Sequence, residues 1–89
     1  MSMKFPTQEI LLESIIRAVR AKGGVAKSRE IDEFVITDLN LSDELVSKIR
    51  QGSRTELQYR LAWVRTRAKN SGHLSKGDAR EWRLGPKAS

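Results

Sequence analysis

Apolar residues recur at helical spacing in four successive segments of this chain, and only two short segments near its C-terminus alternate in the manner of β-strands. The first helix is predicted over residues 7–21, with Thr7 as its N-cap and two glycines at 23–24 ending it. The second is predicted over residues 28–39, and residues 25–26 before it can pair as a minor strand. A third, short helix is predicted over residues 42–50.

The fourth helix, called the basic helix here, ends near residue 70. Two overlapping capping boxes compete for its start, Ser53 with Glu56 and Thr55 with Gln58. Two short strands, 73–75 and 81–84, follow it around a turn at 76–79. This order predicts a mostly helical α+β fold, a winged helix-turn-helix with four helices and a C-terminal two-stranded wing. We expect this domain to occupy residues 7–85, between a flexible segment at 1–6 and a tail or linker to an absent domain at 86–89.

The charge of the chain is separated along its length. Residues 50–89 hold ten Lys/Arg and three Asp/Glu, a net of +7, whereas residues 1–49 hold seven and eight, a net of −1. A basic face on a small domain most often meets nucleic acid, and an anionic membrane surface fits less well. The sequence lacks an apolar run near the roughly 18 residues that a membrane span needs, so the expected location is cytoplasmic and nucleoid-associated.

Chemistry at a catalytic or metal site is poorly supported. The chain has one His and no Cys, and it lacks a glycine-rich phosphate loop. Asp32, Glu33 and Asp38 are predicted to lie on a solvated helix face, without the Asp…Glu-x-Lys arrangement common in metal-dependent nucleases. We therefore expect no catalytic residue, no metal and no cofactor.

One sector of the basic helix carries side chains suited to double-stranded DNA. Arginine pairs with guanine, glutamine with adenine and lysine with phosphate. A helical wheel places four such residues within about 60° beside the buried stripe: Arg54, Gln58, Arg65 and Lys69. Arg54, Thr55 and Gln58 are predicted to reach base edges, and Arg65 and Lys69 to follow the backbone. Ser53, beside the first of these, is also expected to contact the DNA. The alternative is a plain solvated face.

Residues outside that sector extend the predicted contact. Lys27, Ser28 and Arg29 can hold a phosphate at a helix N-terminus or simply cap the helix. Lys76 and Arg80 can grip the backbone from the wing or remain solvated charges.

The aromatic residues of the C-terminal half and the remaining arginines of the basic helix can each either contact nucleic acid or pack within the protein. The Tyr59 hydroxyl can reach a phosphate, or its ring can pack at the rim. Trp63 and Trp82 are expected to pack the helix against the ribbon rather than to stack on bases. Arg60 and Arg67 lie beyond the buried stripe, where they can pack along a tryptophan or bond to the scaffold.

Several short motifs, taken in order, resemble the N-terminal domain of Mrr-type restriction endonucleases. They are Pro6-Thr7 before an apolar helix, Gly23-Gly24, Ile31…Val35, the run 39–44, the block 59–74 (Tyr-Arg-Leu-Ala-Trp-Val…Ala-Lys-Asn-Ser-Gly-His-Leu) and the strand 81–84 (Glu-Trp-Arg-Leu). The similarity spans about residues 6–84. Arg80 departs from it, since glycine is common at that wing position.

The resemblance implies a winged helix that binds DNA and delivers a separate nuclease domain, in some relatives to DNA with methylated cytosine. The expected partners are double-stranded DNA and a nuclease domain in cis. A stand-alone winged-helix transcriptional regulator and a protein-interaction module remain open alternatives, with RNA binding a third.

Overall fold

The computed structural model of the chain describes residues 5–52, 54–77 and 80–87. The nine elements of these residues follow one another as α1 (Gln8–Ala21), β1 (Val25–Lys27), α2 (Ser28–Asp38), α3 (Asp43–Ser47), β2 (Ile49–Gln51), β3 (Arg54–Thr55), α4 (Glu56–Ser71), β4 (Leu74–Lys76) and β5 (Glu81–Leu84). The predicted fold class is confirmed: the described chain is mostly helical α+β, with four helices and a small sheet in winged-helix order.

The wing is the outer part of a three-stranded antiparallel sheet. Its strand order is β1-β5-β4, so the predicted two-stranded ribbon gains β1 as a third member. Ala26 pairs with Trp82 on one side of β5, and Leu74 pairs with Leu84 on the other. The minor strand predicted before α2 is therefore confirmed. Asp78 and Ala79, in the predicted wing turn, lie outside the described residues.

The core lies between α1, α2 and α4 and the inner face of this sheet. Apolar residues at helical spacing on α1 and α4 turn one stripe of each helix inward. Strand residues add side chains from the sheet because alternate positions face the same way. The side chains with at most 2% exposure include Leu11, Ile15, Val19, Ile31, Val35, Leu57, Leu61 and Leu74.

Of the two capping boxes predicted at the start of α4, the structure forms the one between Thr55 and Gln58. The Thr55 hydroxyl oxygen accepts from the backbone N–H of Gln58 at 3.1 Å, and the Gln58 side-chain oxygen accepts from the N–H of Thr55 at 3.0 Å. Ser53 lies outside the described residues. At the other end Gly72, with φ of +90°, occupies the left-handed position that closes the helix.

The segment between α3 and α4 differs from the sequence prediction. We expected a helix to about residue 50, but α3 ends at Ser47. Residues 49–51 pair with residues 54–55 as a small antiparallel ribbon, in which Ile49 lies opposite Thr55. Backbone pairing across this turn replaces the last helical turn, and the ribbon leads directly into the N-terminus of α4.

Candidate nucleic-acid interface

The C-terminal half of the domain presents only cations among its exposed charged side chains, within the residues that the structure describes. Glu56 and Glu81, the two carboxylates described between residues 54 and 87, are partly buried. The exposed charged side chains come from α4, the wing strands, the turn residue before β5 and the segment after the sheet: Arg60, Arg67, Lys69, Lys76, Arg80, Arg83 and Lys87. The charge separation seen in the sequence is thus a property of the surface.

A groove lies where the N-termini of α2 and α4 meet the first residue of β5. Its volume is about 1030 Å³. Six of the predicted contact residues line it, although they come from three separate parts of the chain: Lys27, Ser28, Arg29, Thr55, Gln58 and Arg80. The structure therefore brings these six together at one place.

The groove itself is charge-balanced. Its lining includes three cations, Lys27, Arg29 and Arg80, and three carboxylates, Asp32, Glu33 and Glu81. Arg29 pairs with Glu33 at 3.2 Å. Apolar side chains of α4 and neighbouring elements complete the lining. Because these charges cancel, the groove interior is not the attractive surface for a polyanion, and the exposed cations around it fill that role better.

Ser28 ties the start of α2 to the wing. Its backbone N–H donates to the carbonyl of Arg80 at 3.0 Å, and its hydroxyl accepts from the indole N–H of Trp82 at 2.8 Å. The backbone N–H of Lys27 donates to Glu30 at 2.9 Å. The two Ser28 contacts fix the wing base against α2, and the Lys27–Glu30 contact caps the helix. The side chains of Lys27 and Arg29 are exposed, so they are the parts of this helix start that face solvent.

Arg65 is not on the exposed sector of α4 that we predicted for it. It is 8% exposed, and its guanidinium forms a salt bridge with Asp32 of α2 and lies 5.8 Å from the Trp82 ring. Asp32 of α2 and the Trp82 ring of β5 lie against it. The exposed position expected for Arg65 is therefore wrong, as is the placement of Asp32 on a solvated face, and a contact between Arg65 and the DNA backbone stays a prediction. Burial raises the pKa of the Asp32 carboxyl, an effect that the charge of Arg65 opposes.

The two tryptophans have different environments, although we expected both to pack helix against ribbon. Trp82 is 7% exposed and belongs to the core, as predicted. Trp63 is 49% exposed, and Tyr59, one turn earlier on α4, is 38% exposed. The expectation for Trp63 fails because its position on the helix points away from α1, α2 and the sheet. A helical wheel places it opposite the buried stripe, and that signal was available in the sequence.

Arg60 and Arg67 confirm the local contacts expected of them. Arg60 donates to Glu56 at 3.0 Å, and its guanidinium lies 4.6 Å from the centre of the Phe5 ring. The guanidinium of Arg67 lies 5.9 Å from the centre of the Trp63 ring. Both side chains remain exposed to solvent.

The remaining predicted contacts are placed as follows. Lys69 is exposed near the end of α4, and Lys76 is exposed with its ammonium 5.1 Å from the centre of the Trp82 ring. Arg54 lies in β3, and its side chain is outside the described part of the structure.

The described residues hold no group of three or more His, Asp and Glu side chains that could bind a metal ion. They also contain no helix with the length and apolarity needed to cross a bilayer.

Comparison with known proteins gives one family. A family model described as the Mrr N-terminal domain matches residues 9–89. The chain belongs to this family. No curated protein and no solved structure matches the chain significantly. Membership agrees with the resemblance found in the sequence, and it places the chain as an N-terminal module associated with restriction systems.

Proposed function

We propose that this Mrr N-terminal domain is the double-stranded DNA-binding specificity module of a restriction endonuclease. The observation that supports the proposal most strongly is the set of seven exposed cations on α4, the sheet and the following segment, with no exposed carboxylate among the described residues 54–87. Lysine and arginine arranged this way neutralise phosphates and release counterions from the duplex, which supplies most of the affinity.

The arrangement of elements favours a duplex over other polyanions. The basic helix α4 is followed by the wing, and α2 with its cationic start lies beside the N-terminus of α4. In winged-helix and related proteins the second helix of the motif enters the major groove while neighbouring elements hold the backbone. α4 therefore takes the groove, Lys27 and Arg29 meet one backbone segment, and Lys76 and Arg80 meet another from the wing.

The finer part of the proposal concerns modified bases and catalysis. Preference for cytosine-methylated DNA follows from the resemblance to Mrr-type enzymes, and the methyl groups of Ala62 on α4 and of Thr55, the N-cap of α4, can contact a 5-methyl group. The chain itself performs no hydrolysis in this proposal, since the nuclease resides in a further domain to which the module is joined. Its role is to bring that domain to a site.

A competition titration tests the proposal. The domain is titrated against two duplexes of the same sequence, one unmodified and one cytosine-methylated. The titration uses about 150 mM salt and a random duplex as competitor. Retained binding to a matched duplex in excess random DNA is the expected result, and preference for the methylated form supports modification sensing. Equal binding to both forms removes that finer claim, and no measurable binding to any duplex contradicts the proposed function.

A pair of charge-matched variants locates the surface. Arg67→Gln with Lys69→Gln removes two charges from α4, whereas Arg20→Gln with Lys22→Gln removes two from the C-terminal end of α1. The double variant on α4 is expected to weaken duplex binding at least 10-fold, roughly 1.4 kcal/mol, and the double variant on α1 much less. Equal loss in both variants would show that net charge, rather than this surface, drives binding.

A further inference from the structure

The face of α4 opposite the core carries a row of residues that do not belong to the core cluster. Tyr59, Ala62, Trp63 and Thr66 are spaced three and four apart, so they stand on one side of the helix. They line a shallow depression of about 180 Å³. We call these four residues the outer ridge. Tyr59 and Trp63 are the two large aromatic side chains exposed on α4.

The outer ridge is apolar at its centre and cationic at its edges. Arg60 and Arg67 lie along one edge, and Lys69 lies along the other. After Glu56 in its first turn, α4 contains no carboxylate. An apolar strip between two cationic edges fits a partner whose centre is uncharged and whose two borders are anionic. Base edges between two phosphate backbones have that pattern.

The dimensions of a helix in a major groove assign the ridge to the bases. A helix with side chains is about 10–12 Å across and the groove is about 12 Å wide, so the face opposite the core meets the groove floor. The two flanks of the helix then meet the two backbones. Gln58, which the sequence suggested for base contact, lines the groove beside the N-terminus of α2, and Arg65, which it suggested for the backbone, is buried.

The geometry points to Tyr59, Trp63 and Thr66 as the base-reading residues of this domain, an inference that rests on the proposed binding of double-stranded DNA. The Thr66 hydroxyl donates to the carbonyl of Ala62 at 3.0 Å, which leaves its methyl group for contact. The Trp63 ring offers a large apolar surface beside it. Discrimination by this ridge comes mainly from apolar contact with base edges, while the flanking cations contribute sequence-independent affinity.

Fluorine NMR tests this inference in the intact domain. The chain has two tryptophans, so labelling with 5-fluorotryptophan gives two resonances, and Trp63→Phe assigns them. With a saturating duplex, the Trp63 resonance is expected to shift and to lose most of its solvent isotope effect. The resonance of Trp82, which is 7% exposed and lies in the core, is the internal control and should change little.

The outcomes separate this inference from the proposed function. A duplex that binds without changing the solvent exposure of Trp63 overturns the inference and leaves DNA binding intact. Failure of every duplex to bind overturns both. If Trp63 becomes protected without DNA as protein concentration rises, and sedimentation shows a dimer, the ridge is a protein interface and the inference is overturned.

Substitution gives a second readout. Trp63→Ala is expected to lower the preference for a duplex selected from a randomised pool by roughly 5- to 150-fold, the range for losing discrimination at one base pair. Binding to random duplex and its salt dependence should stay the same. Ile10→Ala, which removes a side chain 45% exposed on α1, is the matched control and should leave the preference unchanged. A uniform loss on all duplexes with Trp63→Ala would contradict base reading.

Discussion

Replacing Asp32 by Asn removes the charge that faces Arg65 and preserves the shape of the side chain. The guanidinium it leaves behind cannot reach water easily, because the Arg65 side chain is only 9% exposed. Its Nε atom already has no hydrogen-bond partner within the described residues. The variant therefore contains a buried cation whose salt bridge between α2 and α4 is lost.

The size of the effect follows from the burial of the pair. Removing one partner of a buried ion pair costs about 3–5 kcal/mol. The Asp32 side chain is 22% exposed, so water compensates in part and we expect a loss of about 2–4 kcal/mol. A domain of this length has a total stability of roughly 4–13 kcal/mol. A loss of about 3 kcal/mol would lower Tm by roughly 12–24 °C.

Urea unfolding followed by far-UV circular dichroism measures this loss against a matched control. Glu33→Gln breaks the neighbouring pair with Arg29, whose side chains are 66% and 90% exposed, and should change stability by no more than about 0.5 kcal/mol. Asp32→Leu combined with Arg65→Met replaces the buried pair by apolar side chains and should recover most of the stability. If Asp32→Asn costs no more than Glu33→Gln, the pair is not buried as described.

The same double variant tests whether Arg65 touches DNA. Because both charges are inside the protein, Asp32→Leu with Arg65→Met should leave the salt dependence of duplex binding unchanged. A phosphate contact by Arg65 would instead reduce the magnitude of the log–log slope by about 1.

Three further predictions concern stability. Thr55→Ala removes the cap of α4 and should cost about 1 kcal/mol in urea unfolding, whereas Thr55→Ser keeps the hydroxyl and most of the stability. The Arg17 guanidinium holds the pKa of the Asp38 carboxyl below its usual value, so the stability gained from it is complete above about pH 4 and lost as pH falls through the lowered pKa. Urea midpoints measured below pH 4 should therefore fall less steeply in Asp38→Asn than in the native chain. A Cβ at Gly85 would lie 2.2 Å from the carbonyl oxygen of Gly72, so Gly85→Ala should destabilise by about 1–3 kcal/mol in the same assay, and an unchanged midpoint would contradict that close approach.

The elements that the sequence predicted well are those set by local signals. Thr7 caps α1 by accepting from the N–H of Ile10, and the region of Gly23 ends it, as the residue types indicate. Two overlapping capping boxes were visible at the start of α4, and the structure forms the one at Thr55. In each case the deciding contact lies within three or four residues along the chain.

The three errors have different physical causes. The ribbon of β2 and β3 depends on backbone pairing that overrides a short helix, and its strands are too short to show alternation. For Arg65, a helical wheel gave the correct angle but not the identity of the element lying there, which is α2 with Asp32. For Trp63, residue type suggested burial, while its angle opposite the core indicated exposure. The angle of Trp63 relative to the buried stripe of α4 predicted its exposure better than its residue type did.

The salt dependence of duplex binding tests the central claim most directly, since that claim is electrostatic contact between the exposed cations of this domain and a DNA backbone. Affinity would be measured from about 50 to 200 mM salt, a range over which several phosphate contacts produce large changes. If about seven phosphates are neutralised, the log–log slope should be about −6, and Arg67→Gln with Lys69→Gln should bring it nearer to −4. A slope near zero would contradict the account.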